Sequence, residues 1–243
     1  MKQEKDLERI LPFLKKIDSK RREQFEAYFR TAPDWLMESF SIENMEKGEI
    51  LVREGAPVDT VFLIGSGVIK ATDYRIYGIP FDFMLFSNVY AYGGMEVLMN
   101  LDEYRTTLQT VSNCTVVKIP SVQFRRWMQT DIEALQQEAR LMGEYLLEQA
   151  RNSRAFLFLQ GADRLAFLMI SRYGKYAVDG ILRLKENRQE LADCTGLSVK
   201  TITRSVQKFV EQGLIHKDKR MIVIDRTQYE KLKERISEIL SED

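Results

Sequence analysis

Three hydrophobic periodicities succeed one another along the chain. Residues 3–31 carry apolar positions at helical spacing, interrupted near Asp18 and stopped before Pro33, which predicts two short helices. From Trp35 to Pro120 the period shortens to that of strands. The runs E-I-L-V-R-E-G (Glu49–Gly55), T-V-F-L-I-G-S-G-V-I-K (Thr60–Lys70) and T-L-Q-T-V-S-N-C-T-V-V-K-I (Thr107–Ile119) are separated by glycine or Asn/Ser turns. Gly65-Ser66-Gly67 reads as a tight connector between two apolar runs. Many short strands without intervening helices predict an antiparallel barrel or jelly roll.

The pattern then turns helical. Between Asp131 and Leu159 the only glycine or proline is Gly143. Leu135, Ala139, Met142, Leu146, Gln149, Ser153 and Phe156 alternate steps of four and three, a heptad seam on a helix of about 29 residues and ~43 Å. Such a helix either packs along its own domain or forms a coiled-coil dimer axis. Its length favours the dimer, with Gln149 and Ser153 as the polar places in the seam.

Beyond Gly161 the elements shorten. A helix is expected over Asp163–Tyr173, ending at Gly174, and a short strand over Ile181–Leu184. Asn187 and Glu190 have the N-cap and N3 spacing of a capping box, so a helix starts there and breaks at Gly196, where a missing side chain permits a left-handed turn. Ser198 caps a second helix. Two short helices joined by a glycine-containing turn make a helix-turn-helix.

On that second helix Val199, Ile202, Val206, Phe209 and Val210 share one arc and are expected to face the core. Lys200, Arg204 and Lys208 fall in an 80° wedge opposite, at 100° per residue, flanked by Thr201 and Gln207. A purely solvated face mixes signs, because like charges four residues apart oppose the helix. Three stacked cations instead suit a polyanion with phosphates and guanine acceptors. Gly213 ends the helix. Leu214–His216 and Met221–Ile224 read as two strands, with Lys217-Asp218-Lys219-Arg220 as a basic turn able to touch phosphates.

The charge balance agrees. Residues 160–243 carry 16 basic and 13 acidic side chains, a net of +3, whereas the other 159 residues carry 20 and 23. The chain is neutral overall and polarised toward its C-terminal part. Two cysteines, Cys114 and Cys194, and one histidine, His216, supply neither a disulfide framework nor a zinc or iron–sulfur ligand set. Glycine-rich phosphate loops and metalloprotease motifs are missing, so no catalysis and no cofactor is expected. No run approaches the ~20 apolar residues of a membrane span, and M-K-Q-E-K-D-L-E-R-I has no apolar core for a secretory signal. A cytoplasmic protein is expected.

R-Q-E-L-A-D-C-T-G-L-S-V-K-T-I-T-R (188–204), the wing after it, the long helix and the strand-rich first half together resemble the Crp/Fnr family of bacterial transcription regulators over nearly the whole chain. A-F-L-F-L-Q-G-A-D-R-L-A (155–166) is similar to that family's hinge and first DNA-domain helix. The resemblance implies an α+β protein: an N-terminal antiparallel β jelly roll as sensor (1–130), a dimerisation helix and hinge (131–160), and a C-terminal winged helix-turn-helix (161–243). It implies a homodimer on an inverted-repeat operator of double-stranded DNA, with RNA polymerase as a further partner. Base-reading positions fall on Val199, Lys200, Thr203 and Arg204, with Ser198, Thr201, Lys208, Lys219 and Arg220 completing the DNA-binding set. Lys200 stands where members commonly carry a glutamate, which alters the expected half-site.

The resemblance also locates an effector pocket. The family's phosphate cassette corresponds to G-M-E-V-L-M-N-L-D-E-Y-R-T-T (Gly94–Thr107), with Arg105 on the phosphate-binding arginine and Thr106 on the hydroxyl beside it. Met95 replaces the ribose-holding glutamate, and Glu96 comes one place late, where a slip along a strand reverses the face. Thr107 stands for the usual alanine, and Gln149 and Ala150 replace the Thr-Ser pair of the long helix. These departures argue against cyclic AMP. Gly94, Glu96, Arg105, Thr106 and Gln149 form the candidate pocket. Arg105 either binds a small anionic effector or pairs with Glu96, Asp102 or Glu103. A second reading of the whole chain, a ligand-binding protein with a vestigial DNA domain, stays open.

Overall fold

A computed structural model describes residues 7–73, 81–85, 89–219 and 221–241; of 73, 81–85, 148, 149, 151–157 and 238–241 it describes the backbone alone. The chain divides into two compact units, Met1–Leu147 and Glu148–Asp243.

The first unit opens with residues 7–10 helical, then a 3₁₀ turn over Pro12–Lys16, α1 (Ser19–Tyr28) and α2 (Asp34–Met37). The expected pair of helices is thus broken further. Pro12 has no N–H to continue the first helix and tightens the turn instead. Asp18 caps α1 by accepting from Arg21 N at 2.9 Å. Asp34–Met37, expected to begin the strand region, forms one helical turn because that conformation buries Leu36 and Met37 together.

Two antiparallel sheets follow rather than a closed barrel. One has the order β1 (Ser41–Met45), β7 (Cys114–Pro120), β3 (Thr60–Ser66). The other has the order β2 (Ile50–Val52), β6 (Thr107–Thr110), β4 (Ile69–Asp73), β5 (Phe81–Leu85). Strand β3 is apolar and buried from Val61 to Gly65 because both its faces are covered. Phe62 and Ile64 point into the roll with Val116 of the neighbouring strand and Ile69 and Leu108 of the other sheet. Val61 and Leu63 point out against the helical layer, where Phe25, Phe29, Phe124 and Trp127 pack. Of the predicted Gly65-Ser66-Gly67 connector, only Gly67 turns, at φ 86°. Gly65 lies within β3, and a Cβ there would sit 2.5 Å from the Phe13 ring. The strands are also not free of helix: α3 (Gly94–Leu98) interrupts them.

Helix α4 (Ser121–Thr130) leads through Asp131 into α5 (Ile132–Phe158), a helix of 27 residues. Asp131 Oδ1 accepts from Glu133 N and Ala134 N, both at 3.1 Å, and its Oδ2 accepts from Trp127 Nε1 at 3.1 Å. One carboxylate therefore caps the long helix and holds the indole of the core.

The second unit comprises α6 (Ala162–Tyr176), β8 (Ile181–Leu184), α7 (Arg188–Thr195), α8 (Val199–Glu211), β9 (His216–Asp218), β10 (Met221–Asp225) and α9 (Arg226–Ser241), with sheet order β8-β10-β9. Helix α6 does not end at Gly174. It continues two residues because Tyr173 and Tyr176 both pack on the core, Tyr173 stacking on Tyr229 of α9 at 4.1 Å. This outweighs the roughly 1 kcal/mol that an interior glycine costs. Strand β9 begins at His216 instead of Leu214: Leu214 and Ile215 are buried, but ahead of the ladder. Helix α9 closes the unit, its Arg235 holding Asp163 Oδ1 at 2.6 and 2.8 Å and lying over the Phe209 ring.

Candidate nucleic-acid interface and sensor cavity

The helix-turn-helix is built by its caps. Asn187 Oδ1 accepts from Gln189 N (2.9 Å) and Glu190 N (3.0 Å), while Glu190 Oε2 takes the Asn187 N–H at 2.7 Å. The box is complete. Gly196, at φ 67° and ψ 22°, makes the left-handed turn. Ser198 Oγ then accepts from Thr201 N at 3.1 Å and starts α8.

Helix α8 presents two contrasting faces. Ile202, Val206 and Phe209 are fully buried and Ser205 nearly so. Val199, expected in the core, is 38% exposed, because the first turn of α8 projects beyond the core. Lys200, Thr203, Arg204 and Lys208 are exposed. Among the described residues no carboxylate pairs with Lys200, Arg204 or Lys208. The Thr203 hydroxyl donates to Val199 O at 2.8 Å, keeping it on the helix surface. Gln207 is occupied: its Nε2 donates to Glu211 (2.9 Å) and its Oε1 accepts from Lys217 Nζ (3.4 Å). Lys217 therefore sits in β9, drawn toward the helix, and the wing tip narrows to Lys219, exposed at φ 53°. Arg220 lies outside the described residues.

In the first unit a cavity of ≈ 120 Å³ opens between the roll, α3 and α5. Glu96, Arg105 and Thr106 line it, whereas Gly94 does not. Gly94 lies behind the wall, where a Cβ would stand 3.1 Å from Glu138 Oε1. Gln149 has no described side chain. The strand argument for Glu96 fails, because Glu96 is on helix α3 and is 94% buried beside Met95. Its Oε1 accepts from Arg105 N at 3.3 Å. The Arg105 side chain is exposed at the rim and forms no ion pair with Glu96, Asp102 or Glu103.

Several lining residues escaped the sequence reading: Tyr90, Tyr92, Tyr104, Tyr145 and Glu138. Glu138 is 96% buried and accepts from Tyr28 Oη at 2.7 Å. Burial pushes its carboxyl up to about 7, against the pull of the Tyr28 hydrogen bond. A signal did exist. Ala134, Glu138, Leu141 and Tyr145 recur at helical spacing, and an acid within such a stripe marks a site.

The long-helix seam divides. Leu135 packs against the core of its own unit and Met142 lines the cavity. Ala139 is exposed, and Leu146 and Leu147 are 57% and 59% exposed. No side chain is described for Ser153.

Comparison with known proteins agrees with this architecture. Residues 42–131 match the cyclic nucleotide-binding domain and 144–234 the Crp-like helix-turn-helix domain. The transcriptional activator protein anr of Pseudomonas aeruginosa is 26% identical over 185 residues, 70% of this chain and 71% of that protein. The electron transport regulator A of Shewanella oneidensis is 26% identical over 192 residues, 74% of each chain. In structure, the c-di-GMP responsive global regulator CLP of Xanthomonas campestris superimposes with a TM-score of 0.68 at 19% identity, covering 86% of this chain and 99% of that one. A sensor roll followed by a winged helix-turn-helix defines a DNA-binding transcription regulator. The chain belongs to the Crp/Fnr family.

Proposed function

We propose that this protein is a homodimer that recognises an inverted-repeat operator through α8 and changes transcription without cyclic AMP as its signal. One observation carries this reading: Lys200, Arg204 and Lys208 stand exposed at four-residue spacing with no carboxylate among the described residues to neutralise them. Residues 1–130 serve as sensor, 131–160 as dimerisation helix and hinge, and 161–243 as DNA-binding domain. Val199, Lys200, Thr203 and Arg204 face base edges, Ser198, Thr201 and Lys208 approach phosphates, and Lys219 with Arg220 extends the contact from the wing.

The dimer contact uses the exposed Ala139, Leu146 and Leu147 of α5, together with the seam positions Gln149 and Ser153. Leu135 and Met142 leave that set because their own unit occupies them. The relatives' names include activators, which supports contact with RNA polymerase at the promoter. It also supports a cytoplasmic, non-catalytic role. No helix among the described residues is long and apolar enough to cross a membrane.

The test is binding of the purified protein to promoter fragments at graded salt. A sequence-selective complex of two chains per site, weakening steeply with salt, is expected. Binding that ignores sequence or salt rejects the reading.

A further inference from the structure

The sensor cavity holds a charge pattern at odds with an anionic occupant. Glu96 and Glu138, 94% and 96% buried, both line it. Glu96 engages one oxygen, with Arg105 N, and Glu138 engages one, with Tyr28 Oη. Among the described residues no donor reaches Glu96 Oε2 or Glu138 Oε1. A carboxylate largely withdrawn from water is stabilised by a cation that reaches it. Arg105, the one cation among the described lining residues, stays in solvent at the rim, so an anion held inside the cavity would lie against two acids.

The remaining wall is aromatic. Tyr90 and Tyr145 line it, and Tyr104 offers its ring, its hydroxyl being committed to the Thr60 backbone, donating to Thr60 O and accepting from Thr60 N. Tyrosine faces combined with carboxylates are the chemistry that holds organic ammonium groups. Size narrows the class. At ≈ 120 Å³ the space is slightly smaller than the cavity of about 150 Å³ that takes benzene.

We propose that this cavity binds a small organic cation, a primary or quaternary ammonium carried on an apolar body no larger than benzene. The ammonium sits between Glu96 and Glu138, and the body lies against the tyrosine rings. An ammonium beside Glu138 also favours its ionised form and offsets the burial that holds its proton on. This binding does not depend on DNA recognition by the second unit.

The experiment uses the full chain without DNA, titrated calorimetrically with benzylammonium, tetramethylammonium, benzyl alcohol and benzoate, with melting temperature as a second readout. Both cations should bind saturably and raise the melting temperature, whereas the alcohol and benzoate should not. Glu96→Gln and Glu138→Gln, near-isosteric changes, should each weaken cation binding roughly ten- to hundredfold. Tyr145→Leu, which keeps both acids, should weaken it too. The proposal is overturned if benzoate or benzyl alcohol binds as tightly as benzylammonium, if folded glutamine variants keep full affinity, or if neither cation binds at millimolar concentration. Operator binding, measured separately, distinguishes any of these outcomes from failure of the regulator reading.

Discussion

The Tyr28 hydroxyl donates a 2.7 Å hydrogen bond to Glu138 Oε2, joining α1 to the long helix α5 inside the first unit. Both residues are buried, 4% exposed each, so the contact exchanges no water for its partner. An acid placed there makes the stability of the unit depend on pH.

The sign follows from the shift. Glu138 is raised from 4.5 to about 7 by burial, so the folded chain binds its proton more tightly than the unfolded one. Its contribution is intact below pH 4.5 and is lost as pH climbs through 7. Glu138→Gln, which stays neutral, should match wild type to within about 1 kcal/mol at acid pH. It should exceed wild type by on the order of 3 kcal/mol near pH 8. Urea denaturation at both pH values measures this, and an equal difference at each would contradict it.

On the DNA side, Arg204 and Lys208 should separate by role. Arg204→Ala is expected to lose roughly 1–3 kcal/mol per half-site on cognate DNA and to relax preference at one base pair. Lys208→Ala should weaken cognate and scrambled DNA alike and lower the salt slope by about one per half-site. Titrations of both variants on both DNAs at several salt concentrations decide it. Equal losses on the two DNAs for Arg204→Ala would remove it as a base reader.

Leu146 is 57% exposed within one protomer, so a charge there costs the isolated fold little. Leu146→Glu should nevertheless dissociate the dimer in sedimentation, with operator affinity falling and the melting of the first unit unchanged. A variant that sediments as a dimer would place the interface elsewhere.

Cyclic AMP should leave the melting temperature unchanged. Met95 fills the place of the ribose-holding glutamate. A ligand at 100 times its dissociation constant stabilises by about 2.7 kcal/mol, a shift easily seen. Such a shift with cyclic AMP would refute the reading of the cassette.

The helix-turn-helix was legible because its determinants are local. Asn187, Glu190, Gly196 and Ser198 act within four residues of the backbone groups they satisfy. The wing was legible less sharply. Leu214 and Ile215 carry the apolar pattern of a strand, but burial alone produces that pattern, and the hydrogen-bond ladder starts at His216. Glu96 was misread for a related reason. A short segment between strands resembles strand continuation until packing selects a helical turn, and a helix turns 100° per residue where a strand turns 180°.

By itself, then, the sequence determined the succession from strands to long helix to helix-turn-helix, the caps and breaks of the DNA-binding motif, and the cations of α8, since each depends on residues a few positions apart. Only the tertiary structure decided which face of α5 is occupied, how Glu96 and Glu138 come to line one cavity, and where Tyr90, Tyr104 and Tyr145 close around it. Those residues come from α3, α5 and the loops between strands. Their meeting depends on how helices and two sheets pack over a shared core, and periodicity along one segment carries no record of the segment it packs against.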